Sequence, residues 1–257
     1  MKQTEQYKNF AELYDLFMDD VDYGKWTDYV FDLTGRPASI AECGCGTGEI
    51  TIRLRKKGCS IIGMDKSPEM LETASRKARN AGLRIPFICQ DMCEMKLHKP
   101  VDAVISCCDC VNYLTDEESV RKFFKAAYDS LKPSGILAFD ISSEYKLRNI
   151  LSENTFADSR EEAAYIWKNS YREDSKLIEM DVEFFRYIHE NSQDDLPLFV
   201  RFDEFHVQRA HSENEILLWL NEAGFDNVKV YEAFTHSPSD KNTQRLQFAA
   251  CKGKKHE

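Results

Sequence analysis

The segment Glu42-Cys43-Gly44-Cys45-Gly46-Thr47-Gly48 follows the short run 38–41 and precedes a stretch with helical spacing. Alternating glycines between a strand and a helix are typical of a ligand-binding loop, because glycine adopts positive φ and has no Cβ. A dinucleotide fingerprint needs a third glycine at position 49, where this chain has Glu49, and the Gly-Lys-Ser/Thr of a phosphate-binding P-loop is absent. The loop is therefore predicted to approach a nucleoside without holding a pyrophosphate.

Strands and helices alternate along the first 141 residues. Apolar periodicity predicts two helices within residues 5–33, and glycine, proline and capping residues divide the chain that follows. The predicted strands are 38–43, 59–64, 85–89, 101–106 and 136–141, and the predicted helices run from 48 to about 58, from 67 to about 82 and from 116 to 131. This alternation indicates βαβ crossovers and a parallel sheet.

The alternation stops after residue 141. Residues 162–172, 176–189 and 197–210 predict three long antiparallel strands with no helix between them. A helix predicted from 212 to 224 and strands near 225–232 and 244–251 then resume the α/β pattern. The predicted fold is α/β, with a mostly parallel seven-stranded sheet, helices on both of its faces and an inserted antiparallel β-sheet. We expect a core in residues 1–141, an inserted cap in residues 142–211, and a return to the core in residues 212–257.

Four segments carry a resemblance to a known family. They are the glycine loop 42–48, Gly63-Met64-Asp65-Lys66-Ser67-Pro68-Glu69-Met70-Leu71, Cys89-Gln90-Asp91-Met92, and Val101-Asp102-Ala103-Val104-Ile105-Ser106. Their order and intervals resemble those of class I S-adenosylmethionine (SAM)-dependent methyltransferases. Phe10-Ala11-Glu12-Leu13-Tyr14-Asp15 and Arg201-Phe202-Asp203-Glu204-Phe205-His206 are similar to segments of the YqeM-like methyltransferases of Gram-positive bacteria. The resemblance implies a Rossmann-like fold, SAM as cofactor, and methyl transfer to an acceptor that it does not identify.

Ligands of open α/β sheets bind beyond the carboxyl ends of the strands, which selects Gly44–Gly48, Asp65, Asp91 and Cys107. The resemblance implies that Gly44, Cys45 and Gly46 flank SAM and that Asp65 accepts hydrogen bonds from the ribose. It also implies that Asp91 and Met92 meet the adenine and that the backbone of Cys107 meets the methionine ammonium. Glu42 and Lys66 complete the predicted cofactor-binding set. An alternative role for Asp91 and Cys107 is to cap or fill a strand end.

The N-terminal helices of this family often close over SAM. Tyr14 and Trp26 are the candidates for that contact here, because each offers a ring and a polar hydrogen. The alternative is that both side chains serve only to pack an amphipathic helix.

Cys43, Cys45, Cys107, Cys108 and Cys110 are expected at one end of the sheet. Their spacing matches no zinc site, so they are interpreted as buried apolar filler and no metal is expected.

Methyl transfer from a sulfonium mainly requires alignment of donor and acceptor, and a general base helps when the acceptor carries a proton. The catalytic candidates are Asp109 and Tyr113, which follow the strand at 101–106, and His206 on the inserted sheet. Glu204 and His206 share one face of their strand. The alternative for His206 is a structural hydrogen-bond network. The Asn/Asp-Pro-Pro-Tyr signature is absent, which counts against methylation of DNA adenine or glutamine.

The formal net charge of −10 disfavours non-specific binding to nucleic acids. Because the inserted cap at residues 142–211 would enclose a small molecule better than it would grip a macromolecule, we expect a small-molecule acceptor. An RNA-modifying methyltransferase and a non-catalytic SAM-binding regulator or partner protein remain alternatives, and Glu49 and Asp91 disfavour a nicotinamide oxidoreductase.

The location of the protein is predicted from its termini and cysteines. No apolar run approaches the roughly 20 residues of a membrane helix, the N-terminus lacks a secretory signal, and the nine cysteines indicate reduced thiols. We expect a cytoplasmic protein without membrane contacts, and the sequence does not predict its oligomeric state.

Overall fold

The computed structural model describes residue 11, residues 13–188 and residues 198–253. Phe10 and Glu12 of the N-terminal segment, and the predicted strand ends at 189 and 197, lie outside the described residues.

The helices and strands of the described residues follow the predicted order. The helices are α1 (residues 13–17), α2 (Tyr23–Leu33), α3 (Glu49–Lys56), α4 (Pro68–Asn80), α5 (Glu117–Ser130) and α6 (Glu213–Ala223). The strands are β1 (Ser39–Cys43), β2 (Ser60–Asp65), β3 (Phe87–Cys89), β4 (Val101–Ser106), β5 (Leu131–Ser142), β6 (Thr155–Ser159), β7 (Ala163–Arg172), β8 (Leu177–Ile188), β9 (Leu198–Arg209), β10 (Phe225–Glu232) and β11 (Arg245–Lys252).

Local capping residues begin and end these helices as the sequence predicts. The Ser67 hydroxyl accepts the backbone N–H of Met70 at the start of α4, and Pro68 occupies the first turn. Ser212 and Glu215 form a capping box at the start of α6, and Gly224 ends that helix with a φ of 105°.

The main sheet has seven strands in the order β10-β11-β5-β4-β1-β2-β3. Its strands pair in parallel except for β11, which is antiparallel to both of its neighbours. The predicted mostly parallel seven-stranded sheet is therefore confirmed. One face packs on α5 and α6 through residues such as Phe123, Phe139 and Trp219, and the other packs on α2 and α3 through Val30 and Leu54.

A separate four-stranded antiparallel sheet has the order β6-β7-β8-β9. Three of its strands were predicted, whereas β6 was missed because Phe156 is its only large apolar residue. One face packs on the π-helix Lys146–Leu151 and, further along, on Leu13 of α1. The inserted antiparallel sheet is confirmed, and the division of the chain at residues 141 and 211 stays a prediction.

Among the described residues no helix is both long enough and apolar enough to span a membrane.

Candidate functional site

The glycine loop turns the chain from β1 into α3 through three left-handed residues. Gly44, Gly46 and Gly48 have φ values of 68°, 51° and 81°. A Cβ at Gly44 would lie 2.5 Å from Cys110 Sγ, so the loop there touches the segment that follows β4. A Cβ at Gly46 would meet no atom of the described residues within 4 Å. The loop therefore presents bare backbone to open space, which suits close approach by a flat ligand.

Asp65 ends β2 beside this loop. One carboxylate oxygen accepts the backbone N–H of Gly46 at 2.8 Å, and the other accepts the N–H of Ser67 at 2.9 Å. A carboxylate oxygen can accept two hydrogen bonds, so each one retains a lone pair for a ligand hydroxyl. Asp65 thus fixes the loop backbone at the position from which it was predicted to hold a ribose.

Asp91, Met92 and Lys66 lie beyond the neighbouring ends of β2 and β3. Asp91 caps the 3-10 turn Met92–Glu94 by accepting the backbone N–H of Cys93 at 2.8 Å, and Lys66 Nζ lies 3.4 Å from its second oxygen. Burial raises the pKa of Asp91, but Cys93 and Lys66 outweigh that effect and lower the pKa below its ordinary value. The side chain of Lys66 is largely exposed. Asp91 therefore caps the turn that follows β3, as its predicted alternative role requires, and its carboxylate is ionised.

Glu42 lies beneath the loop and is buried. The Thr51 hydroxyl donates a hydrogen bond to its carboxyl group. Burial raises the pKa of Glu42 to about 8, because the Thr51 hydrogen bond offsets only part of the desolvation and Asp65 raises it further. Glu42 is therefore mostly protonated at neutral pH and able to donate a hydrogen bond.

A polar cluster joins α1 to the loop and to α4. The Thr47 hydroxyl donates to Asp15 at 2.6 Å, Lys77 Nζ lies 2.8 Å from the second Asp15 oxygen, and Lys77 also pairs with Glu49. This cluster of Asp15, Thr47 and Lys77 was not predicted from the sequence. The only signal was that Asp15 ends the N-terminal segment that resembles the YqeM-like proteins.

The two predicted aromatic contacts differ in position. Burial raises the pKa of Tyr14, whose neighbours include Tyr23, Cys110 and Tyr113, so Tyr14 lies beside the segment that follows β4. Trp26 is buried in the core, and its ring meets that of Phe234 edge-to-face with the ring centroids 4.6 Å apart. The contacts of Trp26 match the helix-packing alternative, and its contact with a cofactor stays a prediction.

The segment after β4 bends sharply against the glycine loop. Cys108 and Asp109 are consecutive non-glycine residues with φ values of 61° and 53°. This bend directs Cys110 Sγ toward the carbonyl oxygens of Gly44, at 3.5 Å, and of Cys107, at 3.2 Å. Left-handed backbone at non-glycine residues costs about 1–2 kcal/mol each, and such strain clusters at functional sites.

The thiols in this region are protonated at neutral pH. Burial raises the pKa of Cys43, Cys45, Cys107, Cys108 and Cys110, with nearby acids adding to the effect. Within the described residues the structure contains no cluster of three potential metal ligands.

Asp109 belongs to a buried charge network that the sequence did not reveal. Its backbone N–H donates to Asp140 at 2.9 Å, its carboxylate accepts the Ser142 hydroxyl at 2.8 Å, and Arg245 pairs with both acids. Burial raises the pKa of Asp109, but Arg245 and Lys146 outweigh that effect and lower it. The Asp109 carboxylate is therefore ionised and engaged by its own protein.

The inserted sheet brings His206 to the segment after β4. The rings of His206 and Tyr113 meet edge-to-face with centroids 5.9 Å apart. Burial lowers the pKa of His206, so its imidazole is neutral at neutral pH, while Tyr113 is 45% exposed. Gln208, on the same face of β9, lies beside Asp109 and Tyr113. All three predicted catalytic candidates therefore lie within one region.

Comparison with known proteins gives one consistent family. Residues 40–135 match the family described as Methyltransferase domain. Over 249 residues the chain is 36% identical to "Putative methyltransferase YqeM" of Bacillus subtilis (strain 168), and the match covers 96% of this chain and 98% of that protein.

Comparison with solved structures indicates the same family. The crystal structure of a S-adenosylmethionine-dependent methyltransferase from Clostridium acetobutylicum ATCC 824 superposes with a TM-score of 0.84 and 31% identity, over 96% of this chain and 99% of that one. The sugar N-methyltransferase KedS8 from Streptoalloteichus sp ATCC 53650 has a TM-score of 0.74 and 18% identity, over 94% and 93% of the chains, which shows a shared fold. The chain therefore belongs to the SAM-dependent methyltransferases.

Proposed function

We propose that this SAM-dependent methyltransferase acts on a small molecule bound between the inserted sheet and the carboxyl edge of the main sheet. The inserted sheet and α1 cover that edge, because Leu13 packs with Phe184 and Phe202 while His206 contacts Tyr113. A covered cleft encloses a small molecule more readily than a macromolecule. The neighbour KedS8 is named as a sugar N-methyltransferase, which supports an acceptor of this size.

The observation that carries the proposal is the contact of Asp65 with the loop beside open space at Gly46. Asp65 would hold the ribose, and the other predicted cofactor residues would line the same site: Tyr14, Trp26, Glu42, Gly44, Cys45, Gly46, Lys66, Asp91, Met92 and Cys107. When bound, SAM would supply the methyl group, carried on its sulfonium sulfur, for transfer to the lone pair of the acceptor.

Among the three catalytic candidates, His206 is the one suited to accept a proton from the acceptor. Asp109 is held by Ser142 and Arg245, and the Tyr113 hydroxyl is a phenol, which is protonated at neutral pH. The imidazole of His206 is neutral because burial lowers its pKa. A neutral imidazole is a common general base near neutral pH.

The cofactor site can be tested by calorimetric titration with SAM. We expect Asp65→Ala to weaken SAM binding by about 1–3 kcal/mol, because buried ribose hydrogen bonds to a charged acceptor are lost. Asp102→Ala is a matched control, since Asp102 also accepts a backbone N–H, from Ser39 at 2.8 Å, but at the start of β4. Unchanged affinity in Asp65→Ala would remove the ribose contact from the proposal.

The acceptor class can be tested with methyl-labelled SAM and a cell extract separated into metabolite, RNA and protein fractions. We expect the label in the metabolite fraction. Label confined to RNA or protein would contradict a small-molecule acceptor, while SAM binding without transfer to any fraction would favour a regulatory protein.

A further inference from the structure

Glu204 is an acidic residue of the inserted sheet that is buried without a counter-charge from any described residue. Its exposed fraction is 8%, and no described residue forms a hydrogen bond or ion pair with its carboxyl group. Desolvation is the sole cause of its raised pKa. An ionised carboxylate that has lost its water needs a cation or several hydrogen-bond donors to be stable. The protein supplies neither from the part of the chain that the structure describes.

The position of Glu204 relates this carboxyl group to the active site. On the inner face of β9 it lies between Phe202, which packs with Leu13 of α1, and His206, which contacts Tyr113. The two elements contacted by Phe202 and His206, α1 and the segment after β4, both contact the glycine loop. Asp15 of α1 accepts a hydrogen bond from Thr47, and Cys110 contacts Gly44. Glu204 therefore faces the space between α1, the segment after β4 and the loop that would hold SAM.

Other buried polar atoms lie on the same side of the inserted sheet. Asn169 on β7 pairs with Met180 on β8, which in turn pairs with His206 on β9, so these side chains share one face. Gln208 lies two residues after His206 and is therefore on that face too. Asn169 Oδ1, Gln208 Oε1 and Trp167 Nε1 are buried and form no hydrogen bond with any described residue. Unpaired buried polar atoms are rare in native proteins and call for a ligand or ordered water. This face is therefore built to receive polar groups.

We propose that Glu204 binds the methyl acceptor as an ammonium ion, so that the atom methylated is an amine nitrogen. This inference rests on the proposed small-molecule function and specifies its substrate class. An ammonium ion neutralises the buried carboxylate, whereas a hydroxyl group leaves the negative charge uncompensated. The bound ammonium then transfers one proton to the neutral imidazole of His206. The nitrogen keeps its electron pair, the imidazole becomes imidazolium, and the amine is ready for methylation.

A competing explanation is that Glu204 faces the positive sulfur of SAM itself. S-adenosylhomocysteine lacks that charge, so calorimetry separates the two cases. If Glu204 serves the acceptor, Glu204→Gln leaves the ratio of SAM to S-adenosylhomocysteine affinities unchanged. A selective loss of SAM affinity in this variant overturns the proposal. The same titration shows that the variant is folded.

The decisive experiment is transfer from SAM labelled with a carbon-13 methyl group to the metabolite fraction, with the product examined by NMR. The carbon chemical shift distinguishes methyl groups on nitrogen, oxygen and sulfur. We expect an N-methyl product that disappears when the amines of the fraction are acetylated beforehand. We also expect Glu204→Gln to reduce kcat/KM for the recovered acceptor by about 10- to 100-fold. Asp203→Asn, the same chemical change one residue away on the opposite face, should not reduce it.

The outcomes are distinct. An O-methyl or S-methyl product overturns the amine inference and leaves the small-molecule function intact. An N-methyl product formed equally well by Glu204→Gln overturns the role of Glu204. Label absent from the metabolite fraction despite SAM binding overturns the proposed function and the amine inference with it.

Discussion

The burial of Glu204 predicts an unusual stability profile. Desolvation raises the pKa of Glu204 from 4.5 to about 7. A folded-state pKa above the unfolded value means that the folded protein binds the proton more tightly. Above about pH 7 the carboxylate is charged in both states, and its burial lowers the free energy of unfolding. That penalty disappears as the pH falls from about 7 to about 4.5, where the folded state has taken up its proton.

The magnitude follows from the size of the shift. A difference between 4.5 and about 7 corresponds to about 3 kcal/mol at about 1.4 kcal/mol per pKa unit. Glu204→Gln removes the charge while preserving size and shape. We expect this variant to be more stable than the wild-type protein by about 2–3 kcal/mol near pH 8.5, and by less than about 1 kcal/mol near pH 5. The titratable or charged groups of the described residues on the same face are His206 on β9, Tyr165 and Tyr171 on β7, Asp158 on β6 and Arg186 on β8. Tyr113 borders His206 from the segment after β4.

Urea unfolding of both proteins at these two pH values measures the difference between their free energies of unfolding. Groups that titrate in the same way in both proteins do not contribute to this difference. Asp203→Asn is the matched control, because the Asp203 side chain is 58% exposed and pairs with Arg201 at 2.9 Å. Exposed ion pairs contribute little, so this variant should stay within about 1 kcal/mol of wild type at both pH values. If Glu204→Gln is destabilised near pH 8.5, or if its advantage does not depend on pH, Glu204 has a partner in the folded protein. Glu204 would then not need a cationic acceptor to compensate its charge.

Two further predictions concern the loop and the general base. Gly46→Ala and Gly58→Ala both place a side chain at positive φ, 51° and 96°, without a contact to described residues, so each should lose about 1–2 kcal/mol of stability. Only Gly46→Ala should also weaken SAM binding in calorimetry, because its methyl group enters the open space beside Asp65, and equal SAM affinities would show that the ligand binds elsewhere. His206→Gln should reduce kcat by about 100-fold or more with SAM affinity unchanged. In Glu204→Gln, which removes the other group that titrates in this range, the rate should still decrease as the pH is lowered, because His206 then becomes protonated. A His206→Gln variant with normal kcat, or a Glu204→Gln rate that does not change at acidic pH, would assign His206 to the scaffold.

The parts of the fold that the sequence predicted are those determined by local chemistry. Ser67 with Pro68 marks the start of α4, the Ser212 capping box marks α6, and glycines mark the loop after β1. Each of these signals acts within a few residues, so it does not depend on tertiary contacts with the rest of the chain. The strand β6 and the π-helix Lys146–Leu151 carry no such signal, and both were missed.

The polar contacts of the site were less predictable because their partners are distant in sequence. Lys77 meets Asp15 across 62 residues, and Arg245 meets Asp140 across 105 residues. Neither pairing follows from spacing, since it depends on which strands and helices become neighbours. The strand-end rule placed the glycine loop and Cys107 at one edge of the sheet, and Asp109 follows Cys107 closely, but the rule could not show that Asp109 is already engaged by Ser142 and Arg245.

The same limitation affects Asp65, and it changes how the site should be interpreted. The sequence predicted a carboxylate for a ribose, whereas the structure shows that this carboxylate also binds the backbone N–H groups of Gly46 and Ser67. These bonds hold the carboxylate and the loop in a fixed relation before any ligand arrives. A site fixed in advance loses less conformational entropy on binding, so its hydrogen bonds contribute more to affinity. Glu204 is different, because no described residue compensates its charge. Among the described residues, the cofactor side of the cleft therefore has its carboxylate held in place before any ligand binds, whereas Glu204 on the proposed acceptor side has no counter-charge, which the proposed ammonium ion would supply.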